Sequence, residues 1–142
     1  LLDIPILYLS RYIIENKNAY YSGLRGITEK ADWENWILYM LDAIEQTARK
    51  TREKILAIRD LMNADIEKVK AELPKIYTKD LLEQLYHQPY CKIRFLEEAG
   101  IAQRQTASHY LKELARIGVL EPFKSGREIY YVNEKFLDLL VK

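Results

Sequence analysis

Gln103, Arg104 and Gln105 stand at the head of an apolar-striped segment, with Ser108, His109 and Lys112 following at intervals of about one turn. If the segment is a helix, Ala107, Tyr110, Leu111 and Leu114 line its inner face and the polar set looks outward or sideways. Arg and Gln hydrogen-bond guanine and adenine edges bidentately, and the amino end of a recognition helix is the part that reaches bases. Lys124 and Arg127 flank a Ser125-Gly126 turn and suit phosphate contacts in the same reading. The chemistry on offer is binding, not bond-making.

Residues 101–132 carry five Lys/Arg against three Asp/Glu, a small excess that predicts modest, salt-sensitive attraction to nucleic acid. The whole chain has a formal net charge of +1, so any positive field must come from arrangement. A polar helix face also keeps a domain soluble, and modules of this shape serve as protein-docking surfaces too. DNA and a protein partner both stay open.

Catalytic patterns are missing. No Gly-rich phosphate loop, paired nucleophile and base, or carboxylate cluster with metal spacing occurs. His109 lacks a nucleophile or carboxylate beside it and reads as a surface residue. The lone Cys91 has no disulfide partner and, with only His87 and His109 available, no zinc set; it reads as a small buried residue. No apolar run spans a bilayer, and the opening Leu-Leu-Asp-Ile-Pro lacks a basic leader. The expected setting is cytoplasmic, with no membrane.

The elements around the candidate surface follow from breaks in pattern. Pro74 stops what precedes it, and residues 74–77 read as a hinge. From there Thr78 caps a helix to His87, Lys92–Ala99 makes a second, and Gln103–Ile117 a third, closed by Gly118. Strands at 119–124 and 127–132 join through the turn, with Tyr130 and Tyr131 alternating between surface and interior. Asn133 caps a closing helix. Three helices, a hairpin and a final helix predict a winged helix-turn-helix over 76–142.

Residues 1–75 are mainly helical. Pro5 suits a first turn ahead of Ile6, Leu9, Tyr12 and Ile13, and a short helix covers Lys17–Leu24 before Gly23, Gly26 and Thr28 break it. Asp32 caps one long helix of about 32–73, whose forty residues reach about 60 Å. Asn63-Ala64-Asp65 is a place for it to fray or bend. Trp33 and Trp36 read as core anchors. Ile37, Leu41, Ile44, Ala48, Thr51, Ile55, Ile58 and Met62 alternate at heptad spacing, which suits a bundle helix ahead of a true two-stranded coiled coil.

Three short runs carry a family resemblance: Pro-x-Leu-Tyr-Leu-Ser-x-Tyr-Ile at Pro5–Ile13, Tyr-Tyr-x-x-Leu at Tyr20–Leu24, and Trp-x-x-Trp-Ile at Trp33–Ile37. Residues 4–44 resemble the carboxyl-terminal part of Fic-family proteins, and a winged helix often follows that core. The resemblance implies a parent protein that transfers AMP from ATP, with Mg, to a protein hydroxyl through a His-Pro-Phe-x-Asp-Gly-Asn-Gly-Arg-type loop. No such string occurs here, so no catalytic residue maps onto this chain and no cofactor is expected in it. Leu1 reads as the start of a fragment. The helices of 1–75 then carry apolar surface that a missing core would cover, and a homo-oligomer through this region is expected. The rival expectation is a non-enzymatic, dimeric DNA-binding regulator.

Overall fold

The computed structural model describes residues 8–141. The chain divides into two compact units, Leu1–Ile55 and Leu56–Lys142. It is mainly α-helical with one small antiparallel sheet, as the sequence patterning implied.

In the first unit, α1 (Leu9–Glu15) and α2 (Lys17–Lys30) precede α3, a single helix over Trp33–Glu72. The helix start expected at Pro5 and Ile6 lies outside the described residues. An aromatic cluster joins the three helices, with Tyr20 5.4 Å from Trp36 and Tyr12 5.7 Å from Tyr39 between ring centroids. Tyr12 also donates a 2.6 Å hydrogen bond to Asp42. At the N-terminus of α3, the Asp32 side chain accepts from the Asn35 N–H at 3.3 Å, the expected cap.

Two expectations for this unit fail. The helix predicted to end at Leu24 runs on through Gly23 and Gly26 to Lys30, and the break comes at Ala31, in the left-handed region at φ 52°. Gly23 serves packing instead: a Cβ there would sit 2.9 Å from the Trp36 ring, closer than real contacts allow. Trp33 is no core anchor. It is 57% exposed, while Trp36 packs against Tyr20 and stacks on Tyr39.

The second unit builds its core from the end of α3 and everything after it. Val69 and Leu73 on α3 join Leu81, Leu82 and Leu85 of α4 (Lys79–Tyr86), Leu96 of α5 (Ile93–Glu98) and Leu111 and Leu114 of α6 (Arg104–Arg116) in one buried cluster. Several fully buried leucines, each contributing roughly 1.5–3 kcal/mol, dominate its stability. Thr78 caps α4 through the Leu81 N–H, and Asn133 caps α7 (Glu134–Val141) through the Phe136 N–H, both as expected. α3 continues without fraying through Asn63-Ala64-Asp65. There Asp65 is buried and accepts a 2.7 Å hydrogen bond from the Tyr86 hydroxyl, which gives its charge a partner.

The sheet has three strands in the order β1-β3-β2, formed by β1 (Tyr90–Cys91), β2 (Glu121–Ser125) and β3 (Glu128–Val132). The hairpin was expected; β1 was not. Two residues after Pro89 are too few to show alternation, yet they pair with β3 as Tyr90↔Val132 and Cys91↔Tyr131. The hairpin turn sits one residue later than predicted. Ser125 pairs with Glu128, so the loop is Gly126-Arg127, with Gly126 at φ 59° supplying the left-handed residue that a two-residue loop requires.

Candidate nucleic-acid interface

Helix α6 presents the surface, and its inner face explains why it is held. Ala107, Leu111 and Leu114 are fully buried, which fixes the rotation of the helix and turns the intervening positions outward. Gln103, at the N-cap, then Arg104, Gln105, His109 and Lys112 are exposed, whereas Ser108 is half-buried. A shallow open depression lies before the helix, lined by Glu97, Gly100 and Ile101 on one side and Gln103, Arg104 and Gln105 on the other. The first three sequence-predicted residues are thus brought together; Ser108, His109 and Lys112 follow along the helix. Lys124, in β2, and Arg127, in the hairpin loop, are both exposed on a separate element.

Ion pairing sharpens the charge count. Of the three anions in 101–132, Glu113 and Glu128 are engaged, with Arg116 at 2.9 Å and Lys92 at 2.6 Å respectively, and Glu121 is exposed with no ion pair among the described residues. Arg104, Lys112, Lys124 and Arg127 have no ion pair among the described residues, so their charge is available to an anionic ligand.

One positioning residue was not anticipated. Lys92, at the N-cap position of α5, reaches across to the hairpin, donating to Glu128 at 2.6 Å and to the Tyr130 hydroxyl at 3.0 Å. Its ammonium also lies 4.1 Å from the centre of the Tyr130 ring, which Tyr90 packs against from the neighbouring strand. The Glu128 carboxylate holds the Lys92 ammonium charged above its usual range, and Lys92 in turn holds Glu128 below the usual carboxylate range. This tether holds the loop end of the hairpin that carries Lys124 and Arg127. Nothing in the sequence spacing signals a pair 36 residues apart. Tyr131 is buried and Tyr130 half-buried, the expected alternation.

The side chains with latent reactivity are quiet. Burial pushes the Cys91 thiol up to about 12, so no thiolate nucleophile forms near neutral pH. His109 is exposed, with the Tyr110 ring 6.3 Å away and no carboxylate hydrogen-bonded to it. Two apolar side chains on the hairpin escaped the sequence reading: Phe123 is 61% exposed and Ile129 43%.

Residues 61–136 match the family model described as protein adenylyltransferase SoFic-like, C-terminal domain. The match runs from α3 to α7 and contains all eight candidate contact residues. It falls on a different part of the chain from the runs at 4–44 that carried the Fic resemblance. Covering more than half of the molecule, it establishes that the chain belongs to the SoFic-like protein adenylyltransferase C-terminal domain family.

Proposed function

We propose that this chain is the targeting and regulatory C-terminal region of a Fic-like protein AMP transferase, and that residues 76–142 act as a winged helix that docks on DNA. One observation carries the reading: Arg104, Lys112, Lys124 and Arg127 are exposed and unpaired on the helix and hairpin, while of the three carboxylates between 101 and 132 Glu113 and Glu128 are already neutralised by neighbours and Glu121 alone is not. Gln103 and Gln105 flank Arg104 as adaptable donors and acceptors for base edges. Phe123 and Ile129, exposed on the hairpin, favour a second reading in which the module docks on a protein.

AMP transfer belongs to the parent protein in this proposal, as do ATP, Mg and the protein substrate. The residues here do not fit those ligands: the sequence holds no phosphate-binding loop, and among the described residues no group of three or more His, Cys, Asp and Glu is placed to hold a metal. No catalytic step is therefore assigned to this chain. Helices α1 to α3 belong to the Fic-like part of the protein in this proposal and self-associate through their apolar surface, giving a homo-oligomer.

Titration of labelled duplex DNA at two salt concentrations tests the docking. Four phosphate contacts predict affinity falling by about 10²-fold between 50 and 200 mM salt. Replacing Arg104, Lys112, Lys124 and Arg127 by Ala should remove binding and the salt slope together. No binding by the unaltered chain at the lower salt would overturn the DNA reading in favour of the protein one.

A further inference from the structure

Helix α3 carries two apolar faces, and among the described residues of the first unit only one is covered. Trp36, Tyr39 and Ala43 face α1 and α2, where Tyr12, Tyr20 and Gly23 meet them, and Lys50 pairs with Glu15 on the same side. Ala43 is fully buried there. At about 100° per residue, Ile37, Leu41, Ile44, Ala48 and Ile55 fall on the far side of the helix. Four of these five are open to solvent: Ile37 is 52% exposed, Leu41 56%, Ile44 41% and Ile55 51%. Their spacing alternates four and three, the seam of a coiled coil sustained over about four heptads from Ile37 to Met62.

We infer that this seam pairs with the same seam of a second copy, antiparallel, with Ala48 of one chain against Thr51 of the other at the two-fold axis. The inference rests on the self-association proposed above and adds its face, direction and register. Charge selects the arrangement. With Ile37 and Ile44 at d positions and Leu41 and Ala48 at a, the flanking e positions are Leu38, Glu45, Arg52 and Arg59, and the g positions Met40, Thr47, Lys54 and Leu61. Antiparallel pairing about Ala48 and Thr51 sets each Glu45 beside Arg52 of the second copy, and Met40 beside its Leu61. Sliding by one heptad places Glu45 against its own copy in one direction, and Arg52 and Lys54 each against their own copies in the other. A parallel pair sets Lys54 against Arg59 and leaves Glu45 facing Met40. Only the first arrangement gives Glu45 a cationic partner and sets no like charges against each other, with Arg59 beside Leu38 and Lys54 beside Thr47 of the second copy.

The Glu45 side chain is placed to allow it. Glu45 binds Arg49 through Oε1 alone, at 2.7 Å, and this pair is solvent-exposed on both sides, so Oε2 remains for Arg52. The Ala48 and Thr51 layers are small and let the helices approach at the axis, while Ile44 meets Ile55 on either side.

Sedimentation and cross-linking on the whole 142-residue chain separate the self-association from its geometry. The unaltered chain should sediment at twice 16.8 kDa and Ile44→Glu at 16.8 kDa with unchanged helix content, since Ile44 is exposed within its own unit. A monomer at every concentration overturns both the self-association and the seam. A dimer that persists in Ile44→Glu overturns the seam alone. For direction, Ile44→Cys combined with Ile55→Cys should give a covalent dimer with a short bis-maleimide, and Ile44→Cys alone should not, because the two copies of position 44 lie about 16 Å apart in this register. Cross-linking of the single variant overturns the antiparallel register. Glu45→Arg should weaken the dimer at least several-fold, and adding Arg52→Glu should restore it; absence of rescue also rejects the register.

Discussion

The two units use the same apolar residue types to opposite ends. Between Leu56 and Val141, leucines 81, 82, 96, 111 and 114 are sealed from solvent; between Tyr8 and Ile55, Ala43 is the only buried residue among those described, and Leu38 and Leu41 are each 56% exposed. Both regions show the period of an amphipathic helix. The difference lies in how many directions the partners come from. Leu111 shares one buried cluster with leucines of α4 and α5, the end of α3 and the sheet side chain Tyr131, whereas among the described residues of its unit the seam of α3 has α1 and α2 only behind it. An apolar stripe therefore states that a face seeks cover, and only the surrounding elements decide whether that cover is a core or an interface.

The most forceful way to break this contrast is to truncate one leucine from each unit. Leu111→Ala should cost about 2–5 kcal/mol in urea unfolding, the range for a buried leucine whose cavity cannot collapse. Leu41→Ala, measured at concentrations low enough for monomers, should stay within about 0.5 kcal/mol of the unaltered protein. Equal losses would mean that the α3 seam is buried within its own unit and would remove the basis for an interface there.

A smaller effect probes what joins α3 to the second core. Tyr86→Phe keeps the ring that packs at 5.0 Å from Phe136 but leaves the buried Asp65 carboxylate without its donor. The expected loss is about 1–3 kcal/mol. Burial and the neighbouring Asp65 both raise the Tyr86 hydroxyl well above its ordinary range, so the donor stays protonated through the alkaline range and the loss should not vary between pH 6 and 9. A neutral Tyr86→Phe change would show Asp65 to be solvated and the last turns of α3 to be separate from the core.

How far the sequence disclosed this molecule varies with the range of the interaction. Caps act within four residues, so Asp32, Thr78 and Asn133 were legible, as was the uninterrupted run that makes α3. The exposure of Gln103, Arg104, Gln105, His109 and Lys112 was legible because burial of Ala107, Leu111 and Leu114 follows from spacing alone. Long-range pairings were not legible. β1 exists only because β3 lies beside it, the Lys92–Glu128 tether spans 36 residues, and the roles of Gly23 and Trp33 depend on which side of α3 the second helix meets. Glycine in a helix costs about 1 kcal/mol and ordinarily signals a break. Here the close approach of Trp36 outweighs that cost.

Gly23→Ala turns that balance into a measurement on the first unit. The added methyl recovers about 1 kcal/mol of helix propensity but meets the Trp36 ring at 2.9 Å, and overpacking of this kind costs about 1–3 kcal/mol. A net loss of about 1 kcal/mol is expected, with a change in tryptophan fluorescence as the Trp36 ring is displaced from Tyr39. Stabilisation instead would place Gly23 among ordinary exposed helix positions and loosen the only packed face of that unit.

The smallest expected effect compares how the units respond to acid. In the second, Lys92 lowers Glu128 from its ordinary 4.5; in the first, hydrogen bonds from Tyr12 and Gln46 lower Asp42 from 3.8. A carboxylate lowered on folding contributes stability that is complete above its unfolded value and is lost as pH falls through the folded one, so both contacts weaken in strong acid and neither near neutrality. Lys92 is raised from 10.5, so its side of the tether is complete below that value and is lost only as pH climbs past it. The Glu128 tether holds a hairpin with few buried residues, whereas Asp42 sits beside an aromatic cluster that also packs by area. Amide exchange should accordingly rise below pH 4 at Ile129 and Tyr130 more than along α1, beyond the intrinsic change measured on unfolded peptide. Glu128→Gln should show the faster hairpin exchange already at pH 7 and lose the acid-dependent increment, which distinguishes release of this one tether from general acid unfolding of the domain.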